Sequence, residues 1–168
     1  MKFTCRNVFN TDIETYWSKI FFDPDYNRAL YVDTLGFKQW EIKELTGEYP
    51  GVRTRKQFLE PKSDAPAVVT KLVGGSITYQ EEGRFDPTTS IWTYQIGLSK
   101  MADKVRIGGK FWVESRGEKR IERICDVDIT VSIPLVGGTV EKFIEAETRA
   151  SYEKTTAFTN NWIAAKGL

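Results

Sequence analysis

From about Thr139 to Ala165 the chain contains neither proline nor glycine, so the last part of the sequence reads as one long helix. Whatever the chain folds into must give that helix something to lie against. At 3.6-residue spacing Val140, Phe143, Ile144, Phe158 and Trp162 gather on one face, together with Glu147, Ser151, Lys154 and Thr155 in the middle turns. The stripe is apolar at both ends and polar between them. In a solid core an unpaired Glu or Lys at its middle is costly, whereas a hydrated cavity tolerates both. The other arrangement turns the helix slightly, so that the Lys154 ammonium reaches water and Glu147 pairs on the surface; periodicity leaves the two open.

Most of the chain before this helix reads as strands. Phe3, Cys5, Val8 and Phe9 mark a first strand over residues 2–9. Thr11 and Asp12 then offer capping oxygens, with Glu14 placed as in a capping box, and Asp23-Pro24 signals a second short helix that runs to about Asp33 before Gly36. Six further strands follow near 37–46, 51–60, 76–86, 89–98, 105–116 and 119–133, separated by Gly, Pro or Asp-rich breaks. In the last of them Cys125, Val127, Ile129, Val131 and Ile133 alternate with Asp126, Asp128, Thr130 and Ser132, which gives one dry face and one wet face. Pro61 to Gly75 reads as the longest loop. Its Val68, Val69, Leu72 and Val73, ahead of a Gly74-Gly75 hinge or turn, are candidates for a gate that opens for a ligand or touches a membrane transiently. Packing over the sheet edge is the plainer alternative.

Several function classes drop out on composition. At 168 residues, 40% hydrophobic and 28% charged, the chain suits one soluble domain with one core over residues 1–168. Its 24 basic and 23 acidic residues leave a net charge of +1, so no global field draws it to nucleic acid. The absence of His excludes Ser/His/Asp and Cys/His nucleophile pairs and every imidazole metal ligand. Cys5 and Cys125 lack CxxC spacing and read as buried reduced thiols, so neither a metal nor a cofactor is expected. The amino terminus has no signal-type apolar stretch and no window approaches a membrane span, which predicts a cytosolic protein.

The chemistry-bearing residues that remain are modest. Aromatics on the strands, Trp40, Tyr79, Trp92, Tyr94 and Phe111, suit the lining of a pocket as well as ordinary core packing. Arg53 and Arg55 share one strand face, which we expect to be solvated. Glu81 and Glu82 point to opposite faces, and Asp126 with Asp128 lie on the wet one, so neither pair suits acid–base work. Gly137-Gly138 lacks the surroundings of a phosphate loop and reads as a tight turn onto the helix.

A strand, two short helices, six more antiparallel strands and a long terminal helix is an order that resembles the START-like, birch-pollen-allergen-like (SRPBCC) superfamily. The segment Pro66 to Asp86 is similar to the entry into a central strand of those proteins, and Ser132 to Glu141 looks like the strand-to-helix junction of a branch without an assigned activity. The resemblance implies an α+β helix-grip fold and a cavity between sheet and helix that takes a sterol, lipid, polyketide or other apolar molecule. Under that reading Phe143, Glu147, Ser151, Lys154 and Phe158 join the strand aromatics as candidate ligand contacts. Two other classes stay open: a cyclase or aromatase using Tyr79, Tyr94, Glu147 or Lys154, and a protein-interaction module using the outer sheet face.

Overall fold

A computed structural model describes residues 1–62 and 65–168, apart from the Val73 side chain. Strand β1 (Lys2–Phe9) leads into two short helices: α1 (Ile13–Thr15), continued as a π-helical stretch over Tyr16–Phe21, and α2 (Pro24–Arg28), continued likewise over Ala29–Thr34. Then follow β2 (Gln39–Thr46), β3 (Arg53–Glu60), α3 (Ala67–Val73), β4 (Tyr79–Asp86), β5 (Ile91–Leu98), β6 (Val105–Ser115), β7 (Ile121–Val131) and α4 (Gly137–Lys166).

The seven strands form one antiparallel sheet in the order β1-β7-β6-β5-β4-β3-β2. The first strand therefore pairs with the last, and α4 returns across the sheet to lie against β1 and β7. This is the expected α+β helix-grip architecture. Among the described residues no helix is long and apolar enough to cross a membrane.

Local chemistry accounts for the element ends. Asp12 caps α1, its carboxylate accepting from the Thr15 N–H at 2.8 Å, and Asp23 caps α2 through the Tyr26 N–H at 2.7 Å, with Pro24 at the first helical position. Thr11, the other capping candidate, is instead fully buried. Gly167 ends α4 with φ at +66°, and the Leu168 N–H donates to the Ile163 carbonyl at 3.1 Å, as in a Schellman motif. Gly137 sits at the start of α4 because a Cβ there would come within 2.7 Å of the Val131 carbonyl oxygen.

The segment read as a loop between Pro61 and Gly75 instead carries α3. Val68, Val69 and Leu72 recur at helical spacing there, a signal hidden by the bounding prolines and glycines. Gly74 adopts φ +63° as the left-handed residue that ends α3, which favours the turn reading over the hinge.

The core is aromatic. Trp17 stacks on Phe111 with centroids 5.4 Å apart and meets Phe85 at 4.7 Å, while Phe21 and Phe22 sit edge-on to Trp92 at 5.1 and 5.4 Å. The two short helices thus plug one end of the concave face.

Candidate functional site

Because alternate residues of a strand face one side, the pairing fixes which side chains meet under α4. Arg55, Gly83, Tyr94, Gly109 and Val127 lie side by side across β3 to β7. On one side of this row run Gln57, Glu81, Ile96, Ile107 and Ile129; on the other run Phe85, Trp92, Phe111 and Cys125. Gly83 and Gly109 leave the central row without side chains at two places, and neighbours lean into the gaps. A Cβ on Gly83 would fall 2.1 Å from the Trp92 indole, and one on Gly109 would fall 2.8 Å from the Tyr94 hydroxyl oxygen.

The aromatic plug fills one end, but a cavity of about 300 Å³ remains between the rest of the concave face, α4 and α3. Ile96, Leu98, Ile107, Val140 and Ile144 make much of its wall apolar. Tyr26, Tyr31, Tyr79, Tyr94 and Tyr152 bring phenol rings to it. The charged groups at its wall are Arg55, Glu81, Arg123 and Glu147.

Three polar clusters are buried around this space. In the first, Arg55 Nη2 meets Glu81 Oε1 at 3.2 Å, and Gln57 Nε2 donates to the same oxygen at 2.9 Å. Gln57 is held in turn by Trp40, whose indole N–H donates to its Oε1 at 3.0 Å. The Arg55 guanidinium lies over the Phe21 ring at 4.5 Å and donates to the Phe21 carbonyl at 3.2 Å. Nearby, burial pushes the Tyr31 phenol up to about 12.

The second cluster surrounds Arg123, 8% exposed, which donates to Asn7 Oδ1 at 3.0 Å and to the Tyr16 hydroxyl at 3.4 Å. Asn7 is itself oriented by α4, its amide N–H₂ donating to Thr156 Oγ1 at 2.7 Å and to the Tyr152 carbonyl at 3.3 Å. In the third, the Cys125 thiol lies 3.0 Å from the Tyr152 hydroxyl and 3.6 Å from that of Tyr94. Burial pushes the Cys125 thiol up and holds the Tyr94 and Tyr152 phenols well above their ordinary range, so all three stay protonated near neutral pH.

The structure brings Tyr79, Trp92, Tyr94, Phe111, Phe143, Glu147 and Ser151 to the cavity wall, together with Val69 and Leu72 of α3. It does not bring Trp40, which backs Gln57 from behind, or Phe158, which packs on Tyr26 at 5.6 Å and on Trp162 at 5.8 Å. Lys154 is exposed, and Glu147 is exposed at the rim. The most buried edge of α4 keeps Val140 and Thr155 of the expected face and adds Thr159 and Ile163 in place of Phe158 and Trp162, a shift that β-branched residues permit because the threonine hydroxyls bond to carbonyls one turn back. Val68 is half-buried away from the cavity wall, and the Val73 side chain lies outside the described residues.

Arg55, Glu81 and Arg123 are what sequence reasoning missed. Arg55, expected on a solvated face, is 3% exposed. The register supplies the signal: Arg55 and Gln57 share a strand face with the buried Leu59, and Gln57 pairs with Glu81, so a complementary charge pair falls on the inward face.

A family model described as "Protein of unknown function (DUF2505)" matches residues 4–163. No curated protein sequence matches the chain. Among solved structures, TTHA0849 from Thermus thermophilus superposes with a TM-score of 0.69 at 11% identity, covering 100% of both chains. The Zhui aromatase/cyclase from Streptomyces sp. R1128 has a TM-score of 0.62 at 13% identity, covering 100% of this chain and 96% of its own. A START superfamily protein from Mycobacterium smegmatis has a TM-score of 0.62 at 13% identity, covering 96% of this chain and 98% of its own. At these identities the likeness is one of fold.

Proposed function

We propose that this chain, which belongs to the DUF2505 family, takes up a small and largely apolar molecule in the cavity under α4 and carries or senses it as a single START-like domain. The observation that carries this reading is the space itself. About 300 Å³ is at the lower end of the range for ligand sites, and its wall is apolar with a few fixed polar groups. A void of that size left empty forfeits packing contacts over its whole surface, and a molecule inside regains them. The fold shared with a START superfamily protein and with an aromatase/cyclase supports the same reading.

The small volume favours a compact molecule over a sterol or a long lipid. Carriage is favoured over catalysis because Lys154 is exposed and Glu147 sits at the rim, which takes away two of the four groups suited to acid–base work on a bound polyketide. The Cys125 thiol, buried and protonated, is no nucleophile.

The test is uptake of the neutral fluorophore N-phenyl-1-naphthylamine, with native mass spectrometry of the purified protein alongside it. Saturable uptake is expected, and Ser151→Phe, which places a ring in the space, should abolish it while leaving the thermal transition in place. No uptake by the wild type and no co-purifying species, or uptake that survives Ser151→Phe unchanged, would count decisively against a container.

A further inference from the structure

The charges inside the molecule do not balance. Arg55 has Glu81 as its counter-ion, with side chains 2% and 15% exposed. Arg123 is also buried, yet among the described residues no carboxylate lies within ion-pairing distance of it. Its hydrogen-bond partners, Asn7 and Tyr16, are neutral and engage two of the five N–H groups a guanidinium carries. Its Nε, with almost no access to solvent, has no partner among the described residues.

Aromatic faces surround the rest of the group: Tyr152 at 4.6 Å, Phe9 at 5.3 Å and Phe111 at 5.6 Å from the guanidinium carbon. These contacts offset part of the cost of burying the cation but accept no N–H in the plane of the fork. Arg123, Phe111 and Tyr152 all belong to the wall of the cavity, so the uncompensated charge borders the very space proposed to hold a ligand. The other acidic groups of that wall are already committed or remote: Glu81 to Arg55 and Gln57, Glu147 to the exposed rim.

Resting on the cavity reading above, we propose that the occupant is an organic acid: a compact, ring-bearing apolar body with one anionic head, a carboxylate in the simplest form, that pairs with Arg123. A carboxylate supplies two in-plane acceptors to a guanidinium and the missing negative charge at once. The tyrosine faces of the wall suit a flat ring system, and the volume admits a small one. Glu81 directs the acid away from Arg55 by like-charge repulsion, which leaves Arg123 as the single cationic anchor.

The experiment compares two molecules that differ only in the head, 2-naphthoate and 2-naphthalenemethanol, by calorimetry at neutral pH. The wild type should bind the acid about ten- to a hundred-fold more tightly, the ratio expected when one partner of a buried hydrogen-bonded pair is charged. Arg123→Met should erase that ratio, and Arg123→Lys should keep part of it. Equal binding of acid and alcohol by the wild type overturns the proposal and leaves the container standing, as does a preference that survives Arg123→Met. Failure of the wild type to bind either molecule or the neutral fluorophore overturns both. If Arg123→Met does not fold, the wild-type ratio decides alone.

Discussion

Glu81→Leu should be among the most damaging single substitutions in this molecule, and the reason is Arg55. With 2% of its side chain exposed, Arg55 gets little help from water once the carboxylate 3.2 Å away is gone. Removing one partner of a buried pair typically costs about 3–5 kcal/mol, because the remaining charge is left uncompensated. Gln57 Nε2 also loses its better acceptor, at 2.9 Å, and keeps only the Tyr31 hydroxyl at 3.5 Å. For a domain of this size each kcal/mol moves the transition by about 2–4 °C, so the midpoint should fall by about 6–20 °C. The partner variant sharpens the test. Arg55→Met combined with Glu81→Leu replaces the pair with apolar groups and should recover most of the loss, since apolar replacements of buried ion pairs are often neutral. Urea unfolding of the four proteins in a double-mutant cycle measures the coupling directly. A Glu81→Leu variant within about 0.5 kcal/mol of wild type, or a double variant no better than it, would refute the argument that this pair is buried and interdependent.

Other outcomes follow from the same coordinates. The Asp12 carboxyl is held down to about 2, first by the Thr15 backbone N–H and then by Lys119. Its folded value lies below the unfolded one, so the stabilisation is complete above pH 4 and fades as pH falls toward 2. Asp12→Ala should therefore cost about 1 kcal/mol at pH 7 by thermal or urea unfolding, and the gap should close near pH 2. Gly109→Val should destabilise by about 1–3 kcal/mol and weaken fluorophore uptake, because its Cβ would press on the Asp126 carbonyl and the Tyr94 hydroxyl. Burial raises all seven tyrosines. Tyrosinate absorbance should thus lag behind pH 10 and rise with unfolding; stability, full below that pH, is lost as it climbs further, and an early native titration of several phenols would contradict this.

The fold was legible because its signals are periodic and local. The alternation from Cys125 to Ile133, the Asp12 and Asp23 caps and the unbroken run after Thr139 each constrain a few residues at a time, and all agree. The same alternation places Trp92 and Tyr94 on the face that lines the cavity. The polar side was not legible for two reasons. Residue type ranks an arginine as outward unless its cross-strand partner is known, so Arg55 is expected on a solvated face, whereas the register sets it opposite Gly83 on the inward one. And the last turns of α4 are decided by Thr159, whose hydroxyl satisfies itself on the helix backbone and so enters a core that a hydropathy pattern reserves for Phe158 and Trp162.

The amide of Asn7 touches three elements at once: its own strand β1, Arg123 on β7, and the Tyr152 and Thr156 turn of α4. Swinging the helix outward at that point would break both bonds from the Asn7 amide N–H₂ and lift the Tyr152 ring off the Arg123 guanidinium. The fold is therefore latched at its deep end. At the opposite end the cavity wall is made by Leu72, Leu98, Met101 and Val140, apolar side chains whose separation would expose no charge.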